Sequence, residues 1–345
     1  MRGDDLDSIT QAALGAVIGE AVVGHKAGKK GAIWGAVLAT IPDLDVVVNP
    51  LLETTEQIAF HRGPSHSIFL LVIAGFGVGW LLDRRYGDCD AGVSRRDWVT
   101  MALLAFLSQP FLDVLTSYGT YLFWPISRNP HAFSSVSIID PIYTFTLLIS
   151  LAVALFPKTH PAWRPWATRI GLALSTGYLG LTMIVKLHVG QVFTDELDRQ
   201  SITYERFEEM PAILNSVLWV GMADSDDDVY VGLYSLLDDD REIDFQRIDK
   251  NKELLEPYRG DVRVERLVRF SRGLYTVSPT DDGLLYEDLH VGRQDFWLSD
   301  DAPTIFRWEL VLDADGQIEE VRRMPERGDI NGDTVDRYFD RVLGE

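Results

Sequence analysis

The chain has 345 residues, with 52 acidic against 32 basic side chains, a formal charge of −20 and a mean hydropathy of +0.01. An acidic excess of this size argues against a nucleic-acid partner, and the single cysteine, Cys89, leaves no part for disulfides. The charge is unevenly placed: residues 1–190 carry 14 acidic and 14 basic side chains, whereas residues 191–345 carry 38 and 18. Two domains are expected: an all-α polytopic membrane helix bundle over 1–190, and a soluble acidic α+β domain with a mostly antiparallel sheet over 191–345.

The first half alternates apolar runs with short polar connections. Runs occur over residues 9–23, 31–48, 67–82, 98–115, 138–156 and 166–189. Several approach the ~20 residues a helix needs to cross hydrocarbon, so about six membrane helices are expected. Glycines recur four apart at Gly15/Gly19, Gly31/Gly35 and Gly75/Gly79, a spacing that lets helix backbones approach closely in a bilayer. Glu20 interrupts the first run and is expected to face a polar partner inside the bundle. Asp4, Asp5 and Asp7 stand where a signal peptide would carry basic residues, so no cleaved leader is expected and the first run stays in the bundle.

Charge orients the runs. The first, third and fifth connections carry Lys26, Lys29 and Lys30, then Arg84, Arg85, Arg95 and Arg96, then Lys158 and Arg164. The second and fourth carry only Arg62 and Arg128. Positive-inside logic places the odd connections, with Cys89, in the cytoplasm. The even connections and everything after Val189 then lie on the extracytoplasmic side of a multi-pass cell-membrane protein.

The second connection and its flanks carry the chemistry. Pro42-Asp43-Leu44-Asp45 closes the second run and His61-Arg62-Gly63-Pro64-Ser65-His66-Ser67 opens the third. Carboxylate and imidazole are ligands that borderline divalent metals choose. The plain alternative is helix-capping aspartates and surface histidines. In the deduced topology, however, Gln11, Asp43, Asp45, His61, His66, Gln109 and Asp113 all fall at outer helix ends. Gln109 and Asp113 are four apart and so share a helix face. Ionisable groups at membrane depth are costly and mark sites. Gly63 is expected to permit a tight turn, and Tyr118 and Trp124 fit an interfacial aromatic belt better than a substrate role.

These residues also carry a resemblance. Asp7-Ser8-Ile9-Thr10, Pro42-Asp43-Leu44-Asp45, His61-Arg62-Gly63-x-x-His66-Ser67 and Asp113-x-x-Thr116-Ser117-Tyr118-Gly119-Thr120, with Trp124-Pro125 and Ile139-Asp140-Pro141, resemble the YdjM-like family of membrane-bound metal-dependent hydrolases over about residues 4–190. That family is distantly similar to zinc-dependent phospholipase C. The resemblance implies hydrolysis of a phosphodiester or lipid-type ester at the outer membrane face. It implies metal ligands at Asp43, Asp45, His66 and Asp113, with Gln11 and Gln109 as weaker ones. His61, Arg62 and His66 would be catalytic, His61 as a further ligand or general acid and Arg62 as an anion clamp. The family commonly has His where this chain has Gln11 and Gln109. An amide oxygen replaces imidazole poorly at zinc, so the zinc that resemblance implies gives way toward Mn, Mg or Ca.

After a charged helix or linker over 194–215, alternating patterns predict strands over 216–222, 229–236, 262–270, 273–278, 284–289, 304–312 and 317–322, then a helix over 334–343. Asp-rich runs at 224–228 and 238–240 lack the EF-hand spacing and read as solvated surface. Abundant Asp with only seven lysines suits high salt. Membrane lipids and an envelope protein bound by the acidic domain are the expected partners. The alternative reading is a catalytically inactive relative whose acidic domain is a binding module. A small transporter is a third, disfavoured because the polar residues cluster at one face rather than at the midplane.

Overall fold

A computed structural model describes residues 3–87, 92–156, 163–299, 302–324 and 331–345, with side chains from Ser8 onward. Cys89 and Lys158 lie outside the described residues. The chain forms two compact units: Met1–Val48 with Phe60–Met183, and Asn49–Ala59 with Ile184–Glu345.

The first unit is helical. Helix α1 (Gly3–Gly19) runs into a π-turn (Glu20–Gly24) and the short α2 (His25–Ala27). Helix α3 (Lys29–Thr40) continues as a 3-10 segment, Ile41–Leu51, whose end passes with α4 (Thr54–Phe60) into the second unit before the chain returns at Phe60. Then come α5 (Ile68–Tyr86), α6 (Arg95–Leu115), α7 (Pro141–Leu155) and α8 (Arg164–Arg199). Among the described residues, three stretches are long and apolar enough to cross a membrane: Lys29–Leu51, Arg95–Leu115 and Arg164–Arg199. The pair Thr54–His66 and Ile68–Tyr86, bent by 50°, makes a fourth if it is one span. With 17 and 15 residues, α1 and α7 fall short of the ~20 a straight span requires, so these lengths do not establish the expected count of six. Ile73 and Phe76 on α5, Ile149 on α7, and Leu174, Leu181 and Ile184 on α8 are exposed, an apolar exterior suited to lipid rather than water.

The glycine pairs set the packing. A Cβ on Gly15 would stand 2.3 Å from the carbonyl oxygen of Gly35, so α1 and α3 touch backbone to backbone. On α5, Gly75 and Gly79 receive Leu103 and Val99 of α6. Ser94 and Asp97 form a capping box that starts α6. Glu20 is buried, and its Oε1 accepts from Arg164 Nη2 at 2.7 Å and Nε at 3.1 Å; it has the interior polar partner its sequence position suggested.

The second unit holds two four-stranded antiparallel meanders. The first is β1 (Arg206–Pro211), β2 (Leu218–Asp224), β3 (Asp228–Ser235) and β4 (Phe245–Asp249). The second is β5 (Tyr275–Pro279), β6 (Gly283–Asp288), β7 (Arg307–Leu312) and β8 (Ile318–Arg323). Helix α9 (Val262–Phe270) links the sheets and α10 (Gly332–Val342) closes the chain. Trp219 and Trp308 are among its fully buried side chains. The strand expected over 262–270 is helix α9: Val264, Leu267 and Phe270 are buried at helical spacing, and Asp261 caps the N-terminus by accepting from the Arg263 N–H. Strand β1 lies inside the stretch expected to be helix or linker. The acidic runs are paired with cations: Asp224 with Arg206 and Lys250, Asp226 and Asp227 with Lys252, Asp238 with Arg341.

Candidate metal centre

Four elements of the first unit deliver the polar residues to one place. Helix α1 brings Gln11, the 3-10 segment after α3 brings Asp43, the turn before α5 brings His66, and the last turns of α6 bring Gln109 and Asp113. Gln11, His66, Gln109 and Asp113 are each 0 % exposed, a burial that costs free energy for every polar atom left without a hydrogen bond.

Asp43, His66 and Asp113 each offer one ligand atom, and the three atoms lie within 4.8 Å of one another. His66 Nε2 is 3.3 Å from Asp43 Oδ1 and 3.2 Å from Asp113 Oδ2. Gln109 Nε2 sits among them, at 2.8 Å from Asp43 Oδ1, 2.6 Å from His66 Nε2 and 3.0 Å from Asp113 Oδ2. Gln11 Nε2 donates to Asp113 Oδ1 at 2.8 Å. The amide oxygens of both glutamines are buried without a hydrogen-bond partner among the described residues. Two carboxylates and one imidazole form a donor set that could hold a divalent cation, and the glutamines turn their amide nitrogens toward it.

Asp45 faces another way. Residues two apart on a 3-10 helix point in different directions, and Asp45 turns to the 61–65 loop. It accepts from the Arg62 N–H at 3.0 Å and Ser65 Oγ at 2.7 Å, and lies 2.9 Å from His61 Nδ1. It approaches His66 only on the Nδ1 side, at 4.0 Å. Ser65 Oγ is also 2.8 Å from His66 Nδ1. Assigning protons along this chain makes Nδ1–H a donor to Ser65 and Ser65 a donor to Asp45, which leaves the His66 Nε2 lone pair facing the cluster. Nothing in the sequence singled out Ser65.

His61 stands outside the triad, partly exposed, with its ring 6.4 Å from that of His66 and 5.6 Å from that of Tyr118. Arg62 is buried, lies 4.8 Å over the Tyr118 ring, and its Nη2 is 3.6 Å from Asp113 Oδ1. Tyr118 is thus a platform for both His61 and Arg62, a contact the aromatic-belt reading did not foresee. The left-handed residue in the loop is Arg62, at φ +55°, while Gly63 has φ −91° and ψ −111°. A non-glycine residue at positive φ costs on the order of 1 kcal/mol and clusters at functional sites. Ser67 Oγ donates to the Trp124 carbonyl at 2.6 Å, tying the start of α5 to the Trp124-Pro125 turn.

Apolar helices around a buried carboxylate–histidine cluster define an integral-membrane protein with a candidate cation site. Residues 6–189 match the YdjM inner membrane protein family, and the chain belongs to it. It is 26 % identical over 192 residues to the uncharacterised protein YfhP of Bacillus subtilis (strain 168), an alignment covering 53 % of this chain and 56 % of YfhP. The chain thus spans little more than half the length of that curated relative. No solved structure matches.

Proposed function

We propose that the protein is a membrane-bound, metal-dependent hydrolase acting on a phosphodiester or related lipid-type ester at the extracytoplasmic face. The convergence of Asp43, His66 and Asp113 at buried helix ends carries this reading. These three would hold the metal, with Gln11 and Gln109 completing the set. The chemistry such a cation supplies when bound is activation of water near neutral pH. Arg62, held by Tyr118, orients an anionic group through its planar fork. His61, braced on Asp45 through Nδ1 and reachable by solvent, donates a proton to the leaving oxygen from Nε2. Asp45 and Ser65 hold His66 in the tautomer that presents Nε2 to the cluster.

Positive-inside logic supports placing the site and the acidic unit outside, and six spans follow if α1 and α7 each cross by tilting little or thinning the bilayer. The acidic unit then faces the medium, where its carboxylate surface suits high salt and an envelope partner.

A second reading has one observation in its favour. The Gln11 and Gln109 amide nitrogens already contact the cluster carboxylates, as they would in an inactive relative whose acidic domain is a binding module. Elemental analysis of detergent-purified protein beside His66→Ala and Asp113→Ala decides between them. The hydrolase reading expects near-stoichiometric metal in the parent, lost in both variants, and opens a phosphodiester and lipid screen. No bound metal after equilibration with Zn, Mn, Mg and Ca would refute it.

A further inference from the structure

Three acceptors converge on the Nε2 of Gln109: Asp43 Oδ1 at 2.8 Å, His66 Nε2 at 2.6 Å and Asp113 Oδ2 at 3.0 Å. An amide nitrogen carries two hydrogens, so one of the three receives none. Turning the amide over does no better by itself, because Oε1 would then face two carboxylates with no proton between them. Gln11 repeats the pattern, its Nε2 donating to Asp113 Oδ1 while Oε1 is buried with no partner among the described residues. Two glutamines thus spend their nitrogens on the same carboxylate and bury two carbonyl oxygens that find no partner among the described residues.

A divalent charge within this donor set reverses the preference. Carboxylates that bind a cation no longer call for N–H donors, and carbonyl oxygens turned inward become ligands instead of repelling neighbours. The resulting set, one imidazole nitrogen with carboxylate and amide oxygens, is oxygen-rich. Such sets suit hard cations, whereas nitrogen and thiolate sets suit zinc.

We propose that Gln11 and Gln109 act as amide-oxygen ligands, that cation binding turns both amides over, and that the pair tilts the site toward an oxygen-preferring divalent cation, manganese, magnesium or calcium, and away from zinc. This rests on the metal-centre reading above.

The test uses the full-length protein in detergent, with Mn(II) binding read by electron paramagnetic resonance and Zn(II) by competition. Zinc binds most nitrogen and oxygen sites more tightly than manganese does, so the informative quantity is how the zinc-to-manganese affinity ratio changes between variants. Gln109→His should raise that ratio about tenfold or more. Gln109→Met, similar in length but without the oxygen, should weaken manganese about tenfold. Gln109→Glu and Gln11→Glu, which supply an oxygen in either orientation, should tighten it. Thermal unfolding checks each variant, and should one at position 109 fail to fold, Gln11→Glu and Gln11→Met carry the same comparison. Metal binding with an unchanged ratio, or manganese held equally by parent and Met variants, would overturn the ligand assignment while leaving the metal centre standing. No manganese or zinc binding in parent or variants would overturn both.

Discussion

Gly19 and Gly31 meet with no side chain between them: a Cβ on Gly19 would lie 2.0 Å from the Gly31 carbonyl oxygen. One turn further along, Gly15 and Gly35 repeat the contact. The pairing sets the separation of α1 and α3, and so the distance between Gln11 and Asp43. Gly35→Ala should push the helices apart and cost about 1–3 kcal/mol. Gly77→Ala on α5, where a Cβ meets nothing within 4 Å, is the matched control and should be neutral or slightly stabilising. Thermal unfolding of both variants in one detergent checks the contrast.

Ser65 holds His66 by its outer nitrogen. Ser65→Ala removes the hydroxyl between Asp45 and His66 Nδ1 while leaving every proposed ligand in place. Metal affinity should fall about 10- to 100-fold with little change in unfolding temperature. A titration showing parent-like affinity would contradict the relay.

Arg62→Lys keeps the charge and loses both the planar fork and the broad contact over Tyr118. The proposed hydrolysis should drop by at least about tenfold with metal content unchanged. Metal loss in this variant would instead assign Arg62 to the integrity of the cluster, through its 3.6 Å approach to Asp113.

Asp261 offers a pH test in the second unit. The Arg263 side chain holds its carboxyl below the ordinary value of 3.8, and the α9 backbone adds to this. A carboxylate with a lowered folded-state pKa stabilises above its unfolded value, and that contribution is lost as pH falls through the folded one. Asp261→Ala should therefore cost about 1 kcal/mol at pH 7, with parent and variant converging below about pH 4. Unfolding temperature of the two proteins across pH 3–7 reads this directly.

Much of the candidate metal site is legible because its residue types are rare between apolar runs: His66, Asp113 and the Pro42-Asp43-Leu44-Asp45 element stand out against them. Which of Asp43 and Asp45 faces the cluster was not legible, since a spacing of two separates them on a 3-10 helix but leaves the choice to the loop at 61–65. Strands β1 and β4 escaped notice for a common reason. Both are edge strands whose charged residues reduce the alternating pattern, whereas the edge strands β5 and β8 each meet a neighbour across a short Asp- and Gly-rich turn, 280–283 and 313–317, that marks them. Strand β1 makes its contacts far away in sequence, Arg206 with Asp224 and Glu208 with Arg272. Over α9, Val262 and Val264 alternate like a strand, and the signal that decides for a helix is the Asp261 cap.

The chain passes between the two compact units at residues 48/49, 59/60 and 183/184. Residues 49–59 run from four residues past Asp45 to one short of Phe60, the neighbour of His61, and Arg266 of α9 reaches Thr55 and Glu56 there at 3.3 Å. The two sequence halves of the cluster are therefore joined through an excursion into the acidic unit. A single cut near residue 184 severs one of three covalent crossings, and the severed acidic unit would leave without a strand of chain that packs with it. The two halves of this protein are interlaced along the sequence, and neither is a cassette that can be lifted out whole.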